Sequence, residues 1–515
     1  MHTATRWWML GVTCLSVVVI GLDLTILNIT LPAISTALHA STRDLQWVVD
    51  AYSLPFAAVM LPAGVIGDRV GRKRLLLAGL AIFAAASAWC ACSSSAGELI
   101  AARATLGLGA GIAFPLSLAV VSAAFTDDDR PRAIGILTAA VAVGLPLGPI
   151  LGGLLLQHFS WHSVFWISVP AACLTVAAGA ALMPESRNPA APPLDTLGAL
   201  LAAAAVTTLA WGVINGPERG WTAPPTWLLL AAAAALLTAF TVHERRTPHR
   251  LADPAMFADR RFTGGTIATV GVSVALFGIL FTIPQYLQDV AGQGPASAGL
   301  RLTPLMGGLL IAGGAASPAA RAAGTRLTVT AGLALLTAGL AVLSQVHLAT
   351  GYPVVATGLT LCGLGTGAAI ATAMDAVMAA AGGDEAGAGA SVNSTLRQVA
   401  GAIAIAALGS VLSAGYTSAL RPALAGLTAR QAATARSSIT QATQLASQLP
   451  AASALRTAAG AAFLHGMSLV MASCAAITAL TALVSLRYLP RRAPRGTTPA
   501  PRPPAAHATG PSARR

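Results

Sequence analysis

Apolar runs of about 20 residues, each broken by a short polar or glycine- and proline-rich connector, recur along nearly the whole chain. A run of that length crosses a bilayer as a helix, whereas the apolar stretches of soluble domains are shorter and periodic. The runs fall near 7–31, 46–66, 74–92, 98–122, 133–156, 164–183 and 195–215, then 226–242, 263–288, 298–320, 327–347, 353–380, 387–415 and 461–486. The pattern predicts an all-α membrane protein of about 14 transmembrane helices. The first run, Trp7 to Leu31, follows only Arg6, is longer than a signal-peptide core and has no small-residue cleavage site, so it reads as a retained span. Two stretches stand apart. Residues 416–460, rich in Ala, Gln, Leu and Arg with few breakers, predict one or two helices lying at the surface. Residues 487–515, rich in Pro, Arg and Ala, cannot bury an apolar face and read as a disordered basic tail.

Composition closes off the soluble alternative: of 515 residues, 55% are hydrophobic and 10% charged, at a mean hydropathy of +0.71. The net charge of +13 argues for topology and not for nucleic acid, because the cations sit in short connectors and not on a folded basic module. About 22 of the 31 Lys and Arg residues lie on the side of the two termini, while Arg43, Arg219 and Arg301 are those in the short loops opposite. Both termini are therefore expected in the cytoplasm, with the protein in the inner (cytoplasmic) membrane. Lys73 is the single lysine and lies in no phosphate-binding loop, which speaks against ATP as a driver. All six cysteines fall in apolar stretches without metal-ligand spacing and read as small core residues. No nucleophile, base and orienting acid share a motif, so neither an enzyme nor a metal site is expected.

Ionisable groups inside the spans carry the candidate chemistry, since each is expensive in hydrocarbon and faces the bundle interior by default. Asp23 closes span one, Arg103 lies in span four, Asp50 lies one turn inside span two close to Tyr52, and Asp375 has apolar neighbours for a full turn on both sides. Asp23 is either a proton carrier or a structural acid bonded between helices. Asp50 is expected to line the outer vestibule, Asp50 and Tyr52 are candidates for binding substrate, and Asp375 is the second-half candidate for contacting a cationic substrate or carrying a proton. Asp289 reads as interfacial, and Asp195 as a helix N-terminal stabiliser. Gly107 and Gly111 follow Arg103 at i+4 and i+8. In span five, Gly144, Gly148 and Gly152 make a smooth face, with bends at Pro146 and Pro149. Between spans two and three, Gly64, Gly67, Asp68, Arg69, Gly71, Arg72, Lys73 and Arg74 form a tight turn with one acid and four cations. There Asp68 can pair with Arg72 and hold a gate shut, the alternative being that the cations only enforce topology.

These stretches resemble the major facilitator superfamily. Gly64, Asp68, Arg69, Gly71 and Arg72 fall in step with its G-x-L-x-D-R-x-G-R-K/R loop. Gly144, Gly148, Pro149, Gly152 and Gly153 match the exporters' antiporter motif, G-x-x-x-G-P-x-x-G-G. Leu22-Asp23-Leu24-Thr25-Ile26-Leu27-Asn28 is similar to the signature of the fourteen-span drug:proton antiporter branch. Further likeness lies in Gln46-Trp47-Val48-Val49-Asp50-Ala51-Tyr52, in Trp161-His162-Ser163-Val164-Phe165-Trp166, in Ala373-Met374-Asp375-Ala376, and between Gly389 and Gln398. The chain departs from the family at Leu106, where the R-x-x-Q-G pattern of Arg103 has Gln, and at His162, where the branch often has Arg. It departs again between Pro318 and Arg326, which has the cations and glycine of a second gating loop but no acid.

The resemblance implies a major-facilitator-type bundle. Residues 1–183 would form one six-helix half, 184–243 two linking helices, 244–486 the second half with its long extracytoplasmic loop at 416–460, and 487–515 the tail. It implies a monomer that needs no cofactor and exchanges protons, through Asp23 and Arg103, for small lipophilic, mainly cationic drugs within the lipid bilayer. An exporter of the cell's own secondary metabolite fits the same residues. An uptake permease would not need the complete span-five motif, and a non-transporting sensor would not need the buried ionisable groups.

Overall fold

The computed structural model describes residues 3–125, 129–187, 195–220, 223–247, 254–381, 386–425, 427–448 and 452–489. The tail expected at 487–515 thus lies almost wholly outside the described residues, as does the whole of 188–194.

The chain is helical throughout the described residues. The first half comprises α1 (Thr3–Leu38), α2 (Thr42–Val70), α3 (Arg72–Cys92), α4 (Ala96–Ala124), α5 (Arg130–His158), the single turn α6 (Ser163–Trp166) and α7 (Ser168–Leu182). Next come α8 (Thr196–Arg219) and α9 (Pro224–Arg246). The second half runs through α10 (Arg260–Gln285), α11 (Pro295–Leu300), α12 (Thr303–Ala323), α13 (Thr325–Ser344), α14 (Tyr352–Ala381) and α15 (Ala386–Leu420). The short α16 (Ala429–Ser437) and α17 (Ile439–Ser447) precede α18 (Ala452–Tyr488).

Twelve helical stretches among the described residues are long and apolar enough to cross a membrane. The helices α2 and α5, 29 residues each, are not among those twelve. Every expected run coincides with a helix, but several helices outlast their run: α1 continues to Leu38, α15 to Leu420, and α18 starts at Ala452 and not near 461. Hydropathy registers the lipid-embedded part, whereas the backbone hydrogen-bond ladder continues past it, where residues such as Arg456 are tolerated. Large apolar side chains such as Trp8, Leu200, Leu228 and Ile311 are exposed around the outside of the bundle, as a lipid-facing surface requires. Cys92 and Cys173 are exposed too, and only Cys90, Cys362 and Cys474 are buried in the core.

Packing partners repeat along the chain. In the first half α1 packs on α5, α2 on α4, and α3 on both α4 and α7. In the second, α10 packs on α15, α12 on α14, and α13 on both α14 and α18. The tight turns repeat as well: Gly71 joins α2 to α3 at φ 127°, and Gly324 joins α12 to α13 at φ 91°. Only glycine adopts such angles without strain, so each helix can stop and the next start within a single residue. Between the halves, α8 and α9 pack on each other, and α8 packs on α2 and α15.

The two repeats meet at the end of the bundle away from the N-terminus, here termed distal. The Gln46 amide in α2 donates to the Ala406 carbonyl of α15 at 3.3 Å, and Gln288 donates to the Ile29 carbonyl of α1 at 2.8 Å. Among the described residues of 416–460, α16 and α17 are the two short helices between α15 and α18, but α17 does not lie at the surface. Ile439, Thr440, Gln441 and Ala442 are buried, because Gln441 donates to the Ser35 carbonyl at 2.6 Å and Thr440 to Asp289 at 2.8 Å. The Thr42 hydroxyl adds a bond to the Ser437 carbonyl at 3.0 Å. The hairpin therefore bridges α1, α2 and the end of α10, and Asp289 is partly buried and hydrogen-bonded instead of merely solvated.

Candidate functional site

At the centre of the first half, Asp23 of α1 and Arg103 of α4 form an ion pair: Arg103 Nη1 donates to Asp23 Oδ2 at 2.8 Å, with both side chains 2% exposed. Arg103 Nε donates to the Val48 carbonyl of α2 at 3.2 Å, and the guanidinium lies 4.3 Å from the centroid of the Tyr52 ring. A guanidinium in this setting needs donors satisfied and a compensating charge, and two neighbouring helices, α1 and α2, supply them. Leu106 is buried and offers nothing polar, so the support expected of the family's Gln comes instead from the α2 backbone.

The α2–α4 contact that brings these groups together follows from sequence spacing. Arg103, Gly107 and Gly111 lie on one face of α4 and meet Val48, Tyr52 and Phe56 at four-residue steps on α2. A methyl group on Gly111 would stand 2.6 Å from the Phe56 carbonyl oxygen, and one on Gly107 would collide with that of Tyr52. The missing side chains let the two backbones touch.

Asp50 is fully buried, and among the described residues neither of its carboxylate oxygens has a hydrogen-bond partner. Gln46, Asp50 and Leu54 share one face of α2. Gln46 bonds to α15, and Leu54 packs against Ala402 of α15 and Ala210 of α8. Asp50 thus points into the seam between the halves, and not into the outer vestibule where it was expected. Tyr52, on the Arg103 side of α2, is also buried, with an unpartnered hydroxyl. The structure brings Asp23, Arg103 and Tyr52 together and sets Asp50 on the opposite face of the same helix. Asp375 belongs to a different region: its side chain is exposed on α14, beside Ser317 of α12. Apolar sequence neighbours do not bury it, because they occupy other faces of the helix.

The span-five glycines divide between two neighbours. Gly144, Gly148 and Gly152 face α1 around Val18, Leu22 and Ile26, on the helix that carries Asp23. Gly153 faces the Pro295 carbonyl of α11, and Gly299 of α11 in turn presses on the Pro149 carbonyl, so the motif touches both halves. A methyl group on Gly148 would stand 2.7 Å from the Ile26 nitrogen and 2.9 Å from the Leu22 carbonyl oxygen, neither of which can swing aside. Gly148→Leu is expected to lower thermal stability by about 1–3 kcal/mol and to stop transport. Full activity in reconstituted vesicles would reduce this face to a passive contact.

In the α2–α3 turn, Gly64 is half-buried, Arg69 is exposed and Gly71 makes the turn; the Asp68 side chain lies outside the described residues, so the Asp68–Arg72 pair does too. An acid that holds the turn among the described residues is Glu185, after α7, which reasoning from sequence missed. Its carboxylate accepts from the Lys73 nitrogen at 3.1 Å and lies 3.5 Å from Arg74 Nε, while the Ser186 carbonyl accepts from the Arg72 nitrogen at 3.0 Å. The available signal was that Glu185 is the one acid between Asp129 and Asp195, on the same side as four cations. Arg74 is largely exposed, so the pair itself is worth little, and Glu185→Ala is expected to lower thermal stability by no more than about 1 kcal/mol. A larger drop in melting temperature would make this contact a main anchor of the turn.

A second polar group, in the other half, was also missed as a unit. Asn393 accepts from Thr269 at 2.8 Å, and Arg397 donates to Ser273 at 3.2 Å, linking α15 to α10. Asp195 caps α8 through the Gly198 nitrogen at 2.9 Å and lies 2.8 Å from His243 of α9. Among the described residues no three His, Cys, Asp or Glu side chains come together as a metal site.

The chain is 34% identical over 414 residues to the multidrug resistance protein Stp of Mycobacterium tuberculosis, covering 80% of this chain and 77% of that protein. It is 34% identical over 478 residues to the multidrug efflux pump LfrA of Mycolicibacterium smegmatis, covering 91% and 93%. Its fold is similar to the crystal structure of a bacterial homolog of the human lysosomal transporter Spinster, with a TM-score of 0.67 at 16% identity, over 96% of this chain and 100% of the other. The sequence profile of the Major Facilitator Superfamily matches residues 13–405. With that match over most of its length, the chain belongs to the Major Facilitator Superfamily and is a multi-span membrane transporter, not an enzyme.

Proposed function

We propose that the protein exports small lipophilic, mainly cationic drugs across the cytoplasmic membrane in exchange for protons, by alternating access. The observation that carries this reading is the pairing of two unlike buried carboxylates. Asp23 is neutralised by Arg103, while Asp50 has no donor at either oxygen among the described residues. An ionised carboxylate without a partner costs several kcal/mol in such a setting. Asp50 is therefore where a proton is accepted in this arrangement, and Asp23 is where a proton competes with Arg103. Drug efflux itself is supported by relatives that are named for multidrug resistance and efflux.

The architecture proposed with it has 14 spans. The helices α2 and α5 join the twelve apolar ones, because α2 lies along α4 with Tyr52 on that face, and α5 lies along α1. Two six-helix halves then flank α8 and α9, with both termini cytoplasmic by the distribution of cations. The distal end is outside, so the contacts of Gln46, Gln288 and Gln441 represent a closed outer gate and the drug enters from the cytoplasm or inner leaflet. No cofactor takes part and the unit works as a monomer: one inward proton supplies about 2.3 kcal/mol per 100 mV and about 1.4 kcal/mol per pH unit. The test is efflux of a fluorescent lipophilic cation from cells and its uptake into inside-out vesicles. Accumulation that collapses with a protonophore supports export, whereas accumulation only in right-side-out vesicles points to uptake and overturns the reading.

A further inference from the structure

Beyond Gln285, α10 continues as a π-helical turn, Tyr286–Val290, a form that concentrates at functional sites. This turn has two faces. Gln288 and Asp289 hold the seam to α1 and α17. Tyr286, Leu287 and Val290 instead line a cavity of about 300 Å³, walled on its other side by Arg301 and Tyr352, with His347 at the exposed rim.

The Arg301 guanidinium lies 4.6 Å from the centroid of the Tyr352 ring, and the Tyr352 hydroxyl donates to the Arg301 carbonyl at 3.1 Å. Stacking fixes the guanidinium without using its donors, and among the described residues none of its N–H groups has a protein acceptor. Tyr286 is only 5% exposed, and its hydroxyl also has no protein partner among the described residues. The cavity lining contains no Asp or Glu. A cation and a phenol, both with free donors among the described residues and lining one partly open cavity without acids, match the oxygens of a phosphate.

We propose that this cavity binds a phosphate-type anion, held by Arg301 and Tyr286 with His347 at the mouth, as a site separate from the transport pathway. Free phosphate and the phosphodiester of an anionic lipid headgroup present the same chemistry. Assignment to the outer face rests on the orientation proposed above, while the binding chemistry does not. Because the π-helical turn also carries the Gln288 bond to α1, an occupant braces that turn and favours the outward-closed arrangement.

The test uses the purified full chain in phosphatidylcholine nanodiscs, read by thermal unfolding and by titration calorimetry. One probe is inorganic phosphate at constant ionic strength, and the other is replacement of part of the phosphatidylcholine by phosphatidylglycerol. The expected result is saturable stabilisation by one probe, weakened at least about tenfold in Arg301→Gln. Response to phosphate identifies a free anion, and response to phosphatidylglycerol alone identifies a headgroup. Tyr286→Phe preserves the ring, and is expected to weaken the same probe by about fivefold even if Arg301→Gln fails to fold. Absence of any response in the unaltered protein, or equal responses in it and the foldable variants, would overturn the proposal. No transport is measured, so failure here leaves the efflux reading standing, and failure of efflux leaves this site standing.

Discussion

Asp23→Asn is expected to lower proton-driven efflux by at least about 100-fold while the protein still inserts. The substitution keeps shape and one acceptor for Arg103 Nη1 but removes the charge opposite a guanidinium that is 2% exposed. Removing one partner of a buried pair costs about 3–5 kcal/mol, because the other charge is left uncompensated. In a carrier that makes the pair in one state and breaks it in another, this energy comes out of the difference between states, and each 1.4 kcal/mol is tenfold. The variant should also unfold at a lower temperature. Uptake into inside-out vesicles under an imposed pH gradient gives the rate, and unfolding of purified protein gives the stability. Unchanged transport would remove Asp23 from coupling and leave the pair as a structural link between α1 and α4.

Asp50→Asn is expected to have the opposite effect on stability with a similar effect on coupling. Neither Asp50 oxygen has a donor, so the amide loses no partner and the fold no longer holds a group that is costly when ionised. Thermal stability should stay within about 0.5 kcal/mol of the unaltered protein or rise, while the dependence of efflux on pH flattens. A clear fall in melting temperature would mean that an ionic partner reaches Asp50 in this state, and an intact pH profile would leave it outside proton exchange. The same chemical change thus gives two different stability outcomes at positions 23 and 50, which a general effect of losing an acid from the membrane would not produce.

What the sequence disclosed and what it hid follow from the range of each interaction. Spans are set by local apolarity over about 20 residues, so all the runs appear as helices. Asp23 and Arg103 were each legible because a charge in hydrocarbon demands a reason, and the α4 glycines marked the face on which α2 would lie. Their partnership was not legible, because 80 residues separate them and only folding joins them. Glu185 was hidden for the same reason: its partners lie more than 100 residues earlier. The exposure of Asp375 was not legible either, since flanking alanine and methionine say nothing about which face of α14 an acid occupies. The burial of α17 came from hydrogen bonds of Ser35, Thr42 and Asp289 that no hydropathy pattern records.

One experiment bears on the exchange of drug for protons more directly than any other. Purified protein in proteoliposomes loaded with a pH-sensitive dye is given a lipophilic cation on one side, with no other ion gradient present. The account predicts that movement of the cation acidifies the side from which it leaves, in a fixed ratio, and that Asp23→Asn loses both movements together. Cation movement without any proton movement, or movement that continues unchanged in that variant, would contradict it.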